Sequence, residues 1–189
     1  MLGGRLAVVD PYPRFSYYPR NVAAPEWVDP LVDVFRTCRS QIDTVLLSKG
    51  ISSDEVLEHL RSGLVTLGFE VERGKRDDEK VRRPVLFGDE AIPRVTYDVD
   101  GFHDALGIAV EVEAGRGAAN NADYRDIVRS SLILDCLFLT LAIPLEYKFT
   151  SAGKPTSIAA YSNTRNQLDA IYASQRLRLP FEGVLLIGY

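Results

Sequence analysis

The sequence predicts an α/β fold, a mixed β-sheet flanked by helices. Three observations carry that expectation. Apolar residues recur at three- and four-residue steps near both ends of the chain. The period switches to two between Val95 and Val112. Two continuous apolar runs of strand length, Leu137–Ile143 and Gly183–Gly188, match strands buried on both faces. The element order is α-α-β-β-β-α-β-α-β, which one layered domain of 1–189 accommodates.

Residues 1–25 hold prolines and the tyrosines Tyr12, Tyr17 and Tyr18, and read as an irregular N-terminal arm. Trp27, Leu31, Val34, Phe35, Cys38 and Ile42 predict a helix over 27–49. Ser52 with Glu55 forms a capping box that opens a second helix, and Gly68 stops it. Phe69–Glu72 begins a short strand. Residues 73–83 carry six basic and three acidic side chains and read as a solvated loop. Val95, Tyr97 and Val99 then alternate with polar residues, and Ile108, Val110 and Val112 do the same beyond Asp104-Ala105-Leu106-Gly107, a tight-turn sequence. This predicts a β-hairpin. Helices are expected over 122–136 and 163–177, and a long polar loop over 149–166.

Composition narrows the function classes. The chain has 189 residues, 46% of them hydrophobic, and no apolar stretch long enough to span a membrane. Its two cysteines, Cys38 and Cys136, sit in apolar contexts far apart, which fits buried free thiols and a cytoplasmic location. Two histidines without metal-ligand spacing argue against zinc. His103 reads as a turn residue. The net charge is −4. A dedicated nucleic-acid coat is usually strongly basic, but the acids here are unevenly placed.

Alternation decides where. If the turn pairs His103 with Ile108, Asp100 lies opposite Glu111 and Asp98 opposite Glu113, with Cβ atoms about 5 Å apart. Four carboxylates would crowd one face, whereas a one-residue slip would separate the pairs. Crowding like charges destabilises a hairpin and raises carboxyl pKa values. A divalent ion removes the penalty, and hard oxygen donors without His or Cys suit Mg²⁺ or Mn²⁺. The same pattern is also compatible with a solvated hairpin face.

The segment Asp100-(x10)-Glu111-Val112-Glu113, on a hairpin preceded by a helix and strand and followed by a helix and buried strand, resembles the core of the PD-(D/E)xK nuclease superfamily. Residues 51–143 cover its α-β-β-β-α-β order. Glu113 stands where that motif has Lys, a variant similar to restriction endonucleases of the BamHI kind, and Val99 stands where the motif has Pro. The resemblance implies a restriction-endonuclease-like fold and metal-assisted phosphodiester hydrolysis. Asp100 and Glu111 would be metal ligands, and Glu113 general base or water orienter. Asp98, without a counterpart in the family, and Glu58, on the preceding helix, are further ligand candidates; Glu55 is assigned to the cap. Arg116 between two glycines, Arg125 and Arg129 on one helix face, and Lys154 in the polar loop are candidate substrate contacts. Asn120 and Asn121 precede that helix as caps. The partner implied is DNA, with a homodimer acting on both strands. Two other readings stay open: a noncatalytic nucleic-acid-binding or protein-interaction module, and a repair or RNA-processing nuclease of the same fold.

Overall fold

The computed structural model describes residues 11–114, 122–174 and 176–189. Its centre is a six-stranded mixed sheet. In chain order its strands are β1 (Arg14–Tyr18), β2 (Glu70–Val71), β5 (Gly101–His103), β6 (Ile108–Val112), β7 (Phe138–Ile143) and β10 (Gly183–Gly188), arranged β1-β10-β7-β6-β5-β2. The neighbours β6, β7 and β10 run parallel, while β1, β5 and β2 pair antiparallel at the flanks. Parallel neighbours need crossovers, and helices supply them. Two ribbons stand outside this sheet: β3 (Val81–Phe87) with β4 (Pro93–Val99), and β8 (Tyr147–Ser151) with β9 (Lys154–Ile158).

Helices cover both faces. On one side α1 (Val28–Thr37), α2 (Arg39–Ile42) and α3 (Ser53–Thr66) bury Leu31, Phe35, Leu60 and Leu64 against Val110, Leu185 and Ile187. On the other, α4 (Ala122–Ser131) and α5 (Ala160–Ala173) bury Ile127, Leu168 and Ile171 against Leu139, Leu141 and Leu186. Successive strand residues therefore go to opposite layers. Ile108, Val110 and Val112 face the first layer, and Ala109 faces the second. That pleat sends Glu111 and Glu113 toward α4.

Several boundaries differ from expectation, each for a local reason. The helix expected over 27–49 breaks at Cys38, whose φ −88° and ψ 9° are not helical. It ends at Asp43, whose carboxylate accepts from the Val45 amide at 3.0 Å and so competes with helix continuation. The helix expected over 122–136 stops at Ser131, and that over 163–177 runs Ala160–Ala173. The polar loop expected over 149–166 is largely the β8–β9 hairpin. Its turn is Ala152-Gly153, both with positive φ, as a two-residue turn between twisted strands requires. The N-terminal segment, expected to be irregular, supplies the edge strand β1, and the charged segment 73–83 already enters β3 at Val81.

The turn at 104–107 forms where expected. Leu106 and Gly107 amides donate to the His103 carbonyl at 3.3 and 2.8 Å. Gly107 has φ +62°, and a Cβ there would sit 2.6 Å from the Asp135 carbonyl oxygen. His103 is the last residue of β5, where the turn begins, its Nδ1 accepting from the Leu106 amide and its ring edge-on to Phe69. The capping box is present, with the Glu55 amide donating to Ser52 Oγ and the Ser52 amide donating to Glu55 Oε2. Both cysteines are free thiols, Cys136 buried and Cys38 half-buried. Among the described residues no helix is long and apolar enough to cross a membrane.

Candidate active site

The β5–β6 ladder pairs His103 with Ile108, Phe102 with Ala109 and Gly101 with Val110. One step further, Asp100 falls opposite Glu111. There the backbone ladder gives way to a side chain: Asp100 Oδ2 accepts from the Val112 amide at 2.7 Å. The Asp100 carbonyl accepts from the Glu72 amide at 2.8 Å, which ties β2 to the same point. Glu113 lies one residue past β6, where its amide donates to the Ala142 carbonyl at 2.9 Å and its carbonyl accepts from the Tyr189 hydroxyl at 2.6 Å. These carboxylates thus stand at the carboxyl-terminal rim of the parallel strands, the end at which open α/β sheets place ligands.

Helix α4 adds a fourth acid that the sequence reading did not single out. Asp126 is 2% exposed and lies in the layer that covers Glu111 and Glu113. Its spacing held the signal: Asp123, Asp126, Ile127 and Ser130 are all buried and fall on one helical face. Asp123 has a separate task, with one oxygen on the Thr164 hydroxyl at 3.0 Å and the other on the Tyr124 amide.

The electrostatics of the four acids follow from crowding in a half-buried place. Burial first, then the charges of Glu72 and Asp126, push Asp100 up to about 7, against the lowering effects of the Val112 amide and Lys80. Glu111 is driven well above the usual carboxylate range by burial and by Asp100 and Asp126, with Arg129 opposing. Glu113 is raised to about 8 by burial and by the adjacent Asp126 carboxylate, which Arg125 opposes. Asp126 Oδ2 is buried and accepts no hydrogen bond from the described residues.

Cations approach this group from two sides. Arg125 donates through a terminal nitrogen to Glu113 Oε1 and through Nε to Asp126 Oδ1, both at 3.0 Å. Lys80, from the segment read as a solvated loop, is held by Glu72 at 2.6 Å, with both side chains largely buried. Its charge reaches Asp98 and Asp100, and the bond to Glu72 is the main cause of its raised pKa. A single Lys inside a run of charges gave no sign of this placement.

Other sequence candidates lie apart. Asp98 does not face Glu113: the chain leaves the sheet at Asp100, β4 pairs with β3, and Asp98 sits opposite Arg82, whose Nε donates to it at 3.1 Å. Glu58 is exposed and ion-paired to Arg61 at 2.6 Å. Arg129, whose charge reaches Glu111, is held at the margin of the group: it donates to the Asp98 carbonyl at 3.3 Å and lies over the Tyr97 ring. Lys154 is exposed on β9, opposite Ser151. Arg116, Asn120 and Asn121 fall outside the described residues. Among the described residues, no three His, Cys, Asp or Glu side chains are already arranged as a metal-binding group.

No protein-family model matches the chain, and no curated protein matches it in sequence. Its fold is similar to a solved structure, the crystal structure of the restriction endonuclease BglII complexed with a DNA 16-mer. The two superpose with a TM-score of 0.51 at 12% identity, over 93% of this chain and 75% of that one. The class defined is therefore a mixed α/β fold like that of a restriction endonuclease, with acids gathered at the rim of its sheet.

Proposed function

We propose that the chain is a divalent-metal-dependent endonuclease that hydrolyses phosphodiester bonds of DNA, in the manner of a type II restriction endonuclease. The observation that carries this reading is the under-neutralised group of Asp100, Glu111, Glu113 and Asp126 on a fold of restriction-endonuclease kind. Such a group costs stability, and surface solvation does not explain it because Asp126 and much of Glu113 are out of water. DNA is the partner bound by the structural neighbour.

The residues fit a hard cation by donor chemistry. They offer carboxylate oxygens only, and Asp126 Oδ2 is a buried acceptor with no donor among the described residues. Asp100 and Glu111 would hold Mg²⁺ or Mn²⁺, with Asp126 beside them. The ion, when bound, supplies charge stabilisation at the scissile phosphate and acidifies water. Glu113 orients the attacking water and accepts its proton, a task suited to a carboxyl with a raised pKa. Arg125 moves from Glu113 to the phosphate, and Lys80, kept charged by Glu72, meets the backbone beside Asp100. Asp98 and Glu58 take no part, since Arg82 and Arg61 already neutralise them.

Incubation of supercoiled plasmid with the protein and Mg²⁺ or Mn²⁺ tests this. Cleavage is expected with metal, absent with chelator, and lost in Asp100→Ala and Glu111→Ala. Cleavage undiminished in both variants would overturn the assignment. DNA retention without cleavage would favour the noncatalytic module.

A further inference from the structure

A small pocket opens at the end of the sheet away from the acids. It lies beside Ile108, where β6 begins, roughly 16 Å along the strand from Glu113. Its volume is about 140 Å³. An apolar cavity of roughly 150 Å³ admits one benzene ring. Leu67 at the end of α3, Phe69 ahead of β2 and Leu106 in the turn after β5 supply apolar walls, and Trp27 and His103 complete them. Neighbouring rings hold those two in place. Trp27 stands edge-on to Phe138, and His103 edge-on to Phe69.

The lining carries two polar side chains, and both are unspent donors. The Trp27 indole N–H can only donate; it is buried and has no acceptor among the described residues. Nδ1 of His103 accepts from the Leu106 amide at 3.3 Å, so the neutral imidazole carries its proton on Nε2. That N–H too has no acceptor among the described residues. A Cβ at Gly68 would stand 3.0 Å from Nε2, so glycine there leaves the proton uncovered. No Asp, Glu, Lys or Arg lines the pocket. Buried donors ordinarily find partners, and a pair without them calls for an explanation.

We infer that this pocket binds a free small molecule built on one neutral six-membered ring that carries a hydrogen-bond acceptor. Volume limits the occupant to a single ring. The apolar and aromatic walls favour a flat ring over a polar chain. The two unspent N–H groups select an acceptor rather than a further donor. Neutrality follows from the absence of a counter-charge, since an ion buried here would lose hydration with nothing to replace it. The site stands apart from the nuclease reading and does not depend on it.

The chain has one tryptophan, so its indole N–H gives a single signal in a ¹⁵N-correlation spectrum of the full chain and reports on this pocket. Pyridine and benzene serve as probes, at a mildly alkaline pH where pyridine is neutral. They are nearly equal in size and differ by one acceptor. Pyridine should move the indole signal saturably, with a Kd on the order of 1–10 mM for so small a ligand, and should raise the melting temperature. His103→Phe keeps a ring against Phe69 but removes a donor. The ratio of pyridine to benzene affinity should then fall at least about 5-fold. Leu106 is 41% exposed, and Leu106→Phe fills the pocket without disturbing the core. It should weaken both probes at least about 10-fold with far-UV circular dichroism unchanged. Because His103 also anchors the turn, the Leu106→Phe arm decides if His103→Phe unfolds. An indole signal unmoved by pyridine at about 20 mM would overturn the proposal. So would binding of benzene alone, an unchanged ratio in folded His103→Phe, or undiminished binding in Leu106→Phe.

Discussion

Two neighbouring strand pairs handle charge in opposite ways. The arginines of the β3–β4 ribbon each meet two acids: Arg82 holds Asp77 and Asp98, and Arg83, the next residue, holds Glu70 and Asp104. These pairs bind the ribbon to β2 and to the turn after β5. On the β5–β6 pair, Asp100 and Glu111 have no direct cation bond among the described residues, and Glu113 and Asp126 divide one arginine between them. The chain passes from one arrangement to the other within two residues, from Asp98 to Asp100. The same residue types thus produce a neutral structural network in one place and an electrostatically strained one in the next. The difference lies in burial and in which elements lie opposite, not in composition.

The largest expected effect comes from removing the strained acids. Asp100→Ala or Glu111→Ala should lower metal-dependent cleavage by roughly 10²–10³-fold or more, whereas Asp98→Ala should leave it near wild type. Equal losses in all three would erase the contrast between the ribbon and the rim.

Second is the dependence of metal-free stability on pH. Asp100 and Glu113 have folded-state pKa values raised to about 7 and about 8. The folded state therefore holds more protons than the unfolded chain between the unfolded carboxylate range and these values, so stability falls as pH rises through that window. Melting of the chelated protein should drop between about pH 5 and pH 8. Glu113→Gln should flatten the drop, and Arg82→Ala should leave its slope intact.

Third, Lys80→Ala should cost roughly 10–100-fold in activity, as removal of supporting groups around metal sites commonly does. Lys80→Arg should restore part of it, and the melting temperature should change little. The smallest effect belongs to the exposed Arg82–Asp98 pair, worth no more than about 1 kcal/mol in denaturant unfolding.

The hairpin and its register were legible because Ile108, Val110 and Val112 must face one layer, and because Asp104–Gly107 permits only a tight turn. From those two facts the Asp100–Glu111 opposition followed. The split between β4 and β5 was not legible. The alternation of Val95, Tyr97 and Val99 runs without interruption into Gly101-Phe102, and only tertiary pairing with β3 turns Asp98 away from the sheet. Asp126 could have been found from the buried spacing it shares with Asp123, Ile127 and Ser130. Lys80 could not, since five other basic residues in the same short segment look alike until Glu72 and Asp100 are placed beside it. Strand β1 was hidden by its flanking prolines, which mark an edge as readily as a loop.

Under the proposed function, the rim acids bind a divalent cation. Calorimetric titration of Mn²⁺ into the chelator-treated protein near pH 7.5 tests it most directly, repeated in buffers of different ionisation enthalpy. The expected result is saturable binding with release of protons, because raised carboxyls must give up theirs to become ligands. Binding should be lost in Asp100→Asn with Glu111→Gln and kept in Asp98→Asn. Absence of binding in the wild-type chain, or equal binding in all three proteins, would contradict the account.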